Sequence, residues 1–240
     1  MKRTLGTFAG IVIAALTTAG CRQEPVDLHT TIFTYNNVAT DCLEGKQLYF
    51  QPDFSTSYYH RTIQDQPTLP VDTTDHTVID FDVDGDPTRI ELPEGSSFIY
   101  YGQAYDTLYV SSDGTIAFGD IGTGNFSVVE HFRARQISLL PVDATLGGRV
   151  SYQLASNAIT ISYEDVQGST VQGEFFVAGE MAQDIAITYP KLDTTLMGIV
   201  GLSDGPLKGA PLEEISAFLS DFDQTNACFV ANTSPVPIIQ

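Results

Sequence analysis

The chain has 240 residues, with 11 Lys and Arg against 30 Asp and Glu and a formal net charge of −19. Charge of that sign is repelled by phosphate backbones and by anionic lipid, which argues against nucleic-acid binding and against electrostatic membrane adsorption. The length past the first twenty residues suits one β-domain, or at most two small ones.

The N-terminus reads as an export signal. Lys2 and Arg3 precede an apolar run from Leu5 to Leu16, interrupted only by small residues and Thr. That run of about 12 residues is short of the about 20 that a bilayer core requires. It ends in Thr18-Ala19-Gly20-Cys21, which resembles the bacterial lipobox. The resemblance implies a signal peptide over 1–20, cleavage before Cys21 and a lipid on that cysteine, so that the chain meets the membrane through its lipid. Cleavage removes Lys2 and Arg3 and deepens the negative charge by two. Arg22 rather than aspartate follows the cysteine, which under the sorting rule of enteric bacteria implies an extracytoplasmic protein of the outer membrane. Residues 21–40 are expected to be anchor and tether. Of the three cysteines, Cys42 and Cys228 remain as an even pair in an exported chain, and read as a disulfide joining the first strand to the last; two free thiols are the alternative.

From residue 41 to 232 the pattern is that of strands: short runs rich in Val, Ile, Thr, Tyr and Phe, broken by Gly, Asp and Pro. In "TVIDFDV", Ile79, Phe81 and Val83 alternate with acids, and Ile90 and Leu92 follow a turn at Asp84-Gly85, so this stretch is expected to be a hairpin. "TLYVSSDGTIAFG" predicts a hairpin around Asp113-Gly114, the pair favoured in tight primed turns. "GRVSYQLASNAITISYEDV" predicts another, with Val150, Tyr152 and Leu154 opposite Tyr163, Ile161 and Ile159 across Ser156-Asn157. "GEFFVAG", "DIAITY" and "MGIVGL" continue the series. "PLEEISAFLSDF" predicts a short C-terminal helix: Pro211 near its start, Glu213 and Glu214 in its first turn, and Ile215, Phe218 and Leu219 at helical spacing. Residues 233–240 read as a tail. The fold class is therefore all-β, a two-sheet antiparallel sandwich with one short C-terminal helix.

Three motifs bear on chemistry. "DFDVDGDPTRIE" satisfies the calcium-loop pattern, with Asp80, Asp82, Asp84, Gly85, Asp86 and Glu91 in place. Its flanks carry Pro67, Pro70, Pro93 and Gly95, and Pro87 stands inside the loop, so no helix–loop–helix is expected. A solvated hairpin is the reading preferred here; the alternative is a weak divalent-cation site at Asp82, Asp84 and Asp86, as the one cofactor the chain would hold. "GLSDG" matches the nucleophile-elbow pattern at Ser203, but Pro206, Lys208, Gly209 and Pro211 follow it where a helix is required, and all four histidines, His29, His60, His76 and His131, lie upstream. Ser203 therefore reads as a turn residue. The tyrosines of "YFQPDFSTSYYH" and "FIYYGQAY" read as core and hairpin packing in preference to a sugar-stacking platform.

The order "SSFIYYGQAYDTLYVSSDGTIAFGD", "HFRARQISLLPVDATLGGRVSYQL", "ITISYEDV" and "IVGLSDG" resembles a secreted β-domain common in exported proteins of planctomycetes and related bacteria, and is loosely similar to the NIDO domain of nidogen. Tyr163 stands where that pattern carries tryptophan. The resemblance implies an extracellular module without catalytic residues. The function expected is a lipid-anchored module for binding or surface interaction, not an enzyme, with an envelope protein or a glycan as partner. Two alternatives stay open: a glycan-active enzyme or accessory subunit using carboxylates and aromatics of a concave sheet face, and a structural envelope protein.

Overall fold

The computed structural model describes residues 29–53, 58–81, 86–119, 131, 134–179, 182–205, 216–220 and 229–238. In chain order the strands begin with β1 (His29–Ala39), a four-residue helical turn α1 (Thr40–Leu43), β2 (Lys46–Asp53), β3 (Tyr58–Asp65) and β4 (Thr77–Ile79). Next come β5 (Thr88–Glu91), β6 (Phe98–Tyr100), β7 (Gln103–Tyr105), β8 (Thr107–Val110), β9 (Thr115–Ala117) and β10 (Arg135–Ser138). A 3₁₀ turn (Ala144–Leu146) leads to β11 (Arg149–Leu154), β12 (Ala158–Val166), β13 (Ser169–Phe176) and β14 (Ile185–Lys191). The last three are β15 (Gly198–Asp204), β16 (Ser216–Ser220) and β17 (Phe229–Ile238).

They form two packed sheets. One has eight strands in the order β17-β1-β16-β15-β10-β9-β8-β5, the other seven in the order β3-β2-β14-β13-β12-β11-β4, and β6-β7 is a separate two-stranded ribbon. All pairings are antiparallel except β1 with β16. Alternation supplies the core. Leu48 and Phe50 on β2, Ile185, Ile187 and Tyr189 on β14, and Ile159, Ile161 and Tyr163 on β12 face Leu108 and Val110 on β8, Ile137 on β10 and Leu202 on β15, all in one buried cluster. The two apolar faces can leave water only by packing on each other, which is what makes a sandwich of these sheets.

The β11–β12 hairpin has the expected register, with Val150 opposite Tyr163, Tyr152 opposite Ile161 and Leu154 opposite Ile159. The β8–β9 hairpin also forms, but as a longer loop: Ser111 N–H donates to Thr115 O, and of the loop residues only Gly114 has a left-handed φ, 80°. The type I′ turn that Asp-Gly favours requires positive φ at both central residues. That geometry falls instead on Tyr101-Gly102 between β6 and β7 and on Gln167-Gly168 between β12 and β13.

Three expectations are corrected. The stretch from Thr77 to Glu91 is not a hairpin. Ile79 of β4 pairs with Val150 in the seven-stranded sheet, whereas Ile90 of β5 pairs with Leu108 in the eight-stranded one. Each strand ends its sheet, so the intervening chain crosses from one sheet edge to the other. Alternation shows which side chains face inward, and a strand on either sheet satisfies it equally. The predicted C-terminal helix is also overturned where it is described: Ser216–Ser220 is a strand between β1 and β15. Two neighbouring strands offer its backbone a partner on both sides, which outweighs a helical spacing spread over three residues. Pro211, Glu213, Glu214 and Ile215 lie outside the described residues. Finally, β1 occupies 29–39 of the span assigned to the tether, and β17 runs through much of the span assigned to the tail.

Candidate functional site

The central strands of the seven-stranded sheet are buried on both faces. Their outward face is polar, and residues 66–76 strap across one end of it. Val71 N–H donates to Gln172 Oε1 at 3.0 Å and Gln172 Nε2 donates back to Val71 O at 3.0 Å. Thr73 Oγ1 donates to Glu164 at 2.9 Å, and Arg149, paired with Glu164, donates to Thr73 O at 2.9 Å. Deeper in the face, Gln172 Nε2 reaches Ser162 Oγ at 2.9 Å and Gln47 Nε2 reaches Thr188 Oγ1 at 2.8 Å. These buried amides and hydroxyls are satisfied by one another, as burial demands.

Further along the same face is an exception. Cross-strand pairing sets Glu174 of β13 opposite Ala186 of β14, and Ala186 opposite Tyr49 of β2. Phe176 pairs with Ala158, and Phe176, Ala158, Ala186 and Tyr49 form a small apolar cluster of their own. Tyr49 donates its hydroxyl to Asp184 Oδ2. Burial, the Asp184 bond and the charges of Asp184 and Glu174 all push the Tyr49 hydroxyl above its ordinary range, so it remains a donor. Glu174 has 9% of its surface exposed and finds no hydrogen-bond or ion-pair partner among the described residues. Burial alone raises its pKa. Two carboxyls, one hydrogen-bonded to Tyr49 and one without a partner among the described residues, thus share this face with Ala186, Phe176 and Tyr49.

Neither Glu174 nor Asp184 stands out in the sequence, where each is one of thirty acids. The available signal is local: Glu174 precedes two phenylalanines inside a strand run, a position that costs a carboxylate its hydration.

The residues singled out by motif take other places. Ser203 lies inside β15, not in a turn, and is paired with Gln136 and 1% exposed. Its hydroxyl accepts from Gly205 N–H at 3.2 Å. His131 is fully buried with its Nδ1 2.8 Å from Ser138 Oγ. Desolvation pushes that imidazole down to about 3, against a backbone hydrogen bond at Leu202 that favours the charged form. Tyr59, Tyr100 and Tyr105 are buried and, with Tyr101, Phe98 and Phe118, stack into the core as the packing reading requires. Of the proposed cation ligands, Asp82 and Asp84 lie outside the described residues and Asp86 is exposed. Among the described residues no three His, Cys, Asp or Glu side chains cluster closely enough to hold a metal ion. Cys21 and Cys228 lie outside the described residues; Cys42 is half-buried against the core. No described helix is long and apolar enough to cross a membrane.

No family model matches the chain, and no curated protein or solved structure matches it either.

Proposed function

We propose that the chain is a lipid-anchored extracytoplasmic binding module, held to the outer membrane by Cys21 and presenting the outward face of its seven-stranded sheet to an envelope partner. The observation that carries the binding role is Glu174, a largely buried carboxyl with no hydrogen-bond or ion-pair partner among the described residues, on a face where the other buried polar groups described above are matched. Burial thins the hydration of that carboxyl and raises its pKa, and a donor supplied from outside the chain would favour its charged form again. The lipobox and the resemblance to NIDO-like exported modules support the location. The sealed settings of Ser203, Ser138 and His131 support a non-catalytic role.

The proposal includes a Cys42–Cys228 bridge. In this reading Cys42 is bonded and not a free thiol, as an even pair of cysteines in an exported chain favours. The ladder that sets Val38 opposite Phe229 ends beside both residues: Cys42 follows β1 closely and Cys228 directly precedes Phe229. A closed loop of that length is worth about 5 kcal/mol in the chain-entropy view.

The test uses full-length protein. The wild type should fractionate with membranes, its Cys21 peptide should carry acyl mass, and non-reducing digestion should yield a linked Cys42–Cys228 peptide. Cys21→Ser should move the protein to the soluble fraction. Immobilised wild-type protein should retain an envelope component from detergent extract. An unlipidated Cys21 on a protein that stays membrane-bound, or an extract from which nothing is retained, would sink the reading.

A second reading, a glycan-active enzyme, draws on one observation: Glu174 and Asp184 share a face with Tyr49 and Phe176, the residue types of a glycosidase pair beside a sugar platform. It requires glycan hydrolysis that disappears in Glu174→Gln and in Asp184→Asn.

A further inference from the structure

We propose that Tyr49, Glu174, Asp184 and Phe176 form a receptor for a primary ammonium group carried on an apolar stem. The inference rests on the binding-module reading and names its ligand chemistry.

Three features select the ligand. The first is donor supply. Asp184 takes one hydrogen bond from Tyr49 through Oδ2, and Glu174 takes none within the described structure. Both carboxyls are acceptors when ionised, and an ammonium group brings three donors and the opposite charge in a single atom. A neutral hydroxyl ligand brings one donor and leaves the charge uncompensated in a low-dielectric setting.

The second is the wall. Phe176, Ala158 and Ala186 pack with Tyr49 into an apolar cluster on the face that carries the acids, with Ala186 opposite Glu174. Methylenes of an aminoalkyl chain gain by lying on such a surface, and an aromatic face attracts the cation at their end. A hydrated metal ion gains nothing there. It also needs about six oxygen ligands, and the described residues around the site offer two carboxyls with no third acid within metal-holding reach.

The third is the field. A chain of net charge −19 concentrates cations at its surface and speeds their arrival. Glu174, whose acidity burial weakens, binds an ammonium best where it has lost its proton, so affinity should rise as pH increases from the acid range towards neutrality.

The experiment titrates the full chain in detergent with Nα-acetyl-lysine methylamide by calorimetry at low ionic strength. The norleucine analogue serves as the neutral comparison and calcium chloride as the metal. The lysine derivative should bind at least tenfold more tightly than the norleucine one, and more tightly at pH 7.5 than at pH 5. Glu174→Gln should weaken it at least tenfold, whereas Asp75→Asn, which removes an exposed acid elsewhere, should leave it within twofold. Circular dichroism of Glu174→Gln checks that the sheet is intact; if it is not, Phe176→Leu with its weaker wall should lower affinity for the lysine derivative alone. Equal binding of the norleucine analogue, equal losses in Glu174→Gln and Asp75→Asn, calcium binding without lysine binding, or no heat from any ligand would each overturn the assignment. If envelope retention persists while the lysine derivative fails to bind, the ammonium receptor falls and the binding module stands.

Discussion

At the scale of the residue, Tyr100 joins three backbones. Its hydroxyl accepts from Ser203 N–H at 3.0 Å and lies 3.0 Å from both Gln136 O and Ser203 O, to either of which it can donate. It thereby fastens the β6–β7 ribbon to the eight-stranded sheet at the place where β10 and β15 pair, and its ring lies against Tyr59, Tyr101 and Phe118. Tyr100→Phe keeps the ring contacts and leaves Ser203 N–H buried without that acceptor. The expected loss is about 1–3 kcal/mol, read as a lower urea midpoint with an unchanged slope; an unchanged midpoint would mean that the ring alone holds the ribbon. A second device recurs along the chain. Asp72, Asp113, Asp143 and Asp193 each accept from both the N–H and the hydroxyl of a threonine two residues on. The threonine hydroxyls, more than the N–H groups, hold Asp72 and Asp193 below the ordinary carboxylate range. Their contribution to stability is present above that ordinary range and fades as pH falls through the lower folded values. The spacing Asp-x-Thr is plain in the sequence, and it marks turns as directly as Asp-Gly does.

At the scale of the element, the loop between β8 and β9 is held from outside. Gly114 has φ 80°, and a Cβ built there would stand 1.8 Å from Leu140 O. Leu139 N–H in turn donates to Gly114 O at 2.9 Å. Gly114→Ala therefore meets both a left-handed backbone and a backbone clash, and should cost at least about 3 kcal/mol, measured by thermal or urea unfolding. A loss under about 1 kcal/mol would show that the loop moves away from Leu140 freely. The hairpins were legible because local alternation and a turn residue specify them together, as Val150–Leu154 and Ile159–Tyr163 do. The partners of β4 and β5 were not legible, since nothing in "TVIDFDV" distinguishes one sheet edge from the other. The same limit applied to Ser216–Ser220, whose strand state is set by β1 and β15 and not by its own spacing. The candidate site lay beyond the sequence for a related reason: Tyr49, Glu174 and Asp184 are brought together by two cross-strand registers, and no one segment contains them.

At the scale of the whole molecule, two buried histidines couple the fold to acidity. His131 is pushed down to about 3 and His76 is lowered in the same direction, chiefly by desolvation in both cases. Unfolded, each regains its ordinary value near about 6.5. Between those limits the unfolded chain binds protons that the folded chain does not. Stability therefore falls as pH drops from about 6.5 towards about 3, by up to about 1.4 kcal/mol per pH unit for His131 alone. His131→Gln should flatten the curve of urea midpoint against pH over 7.5 to 5 relative to the wild type, and parallel curves would mean that His131 takes its proton without unfolding. The topology also sets an order of events. β11 to β14 pair with their neighbours in sequence, so most of the seven-stranded sheet can close as soon as it is made. β1 has as its neighbours only β16 and β17, both nearly two hundred residues later in the chain, which it must await. Until they reach the compartment where the chain folds, β1 is a template for whichever strand meets it first, including one from another molecule. Completion of the eight-stranded sheet is then the late, concentration-sensitive step of biogenesis, and its vulnerability lies at the segment that was made first.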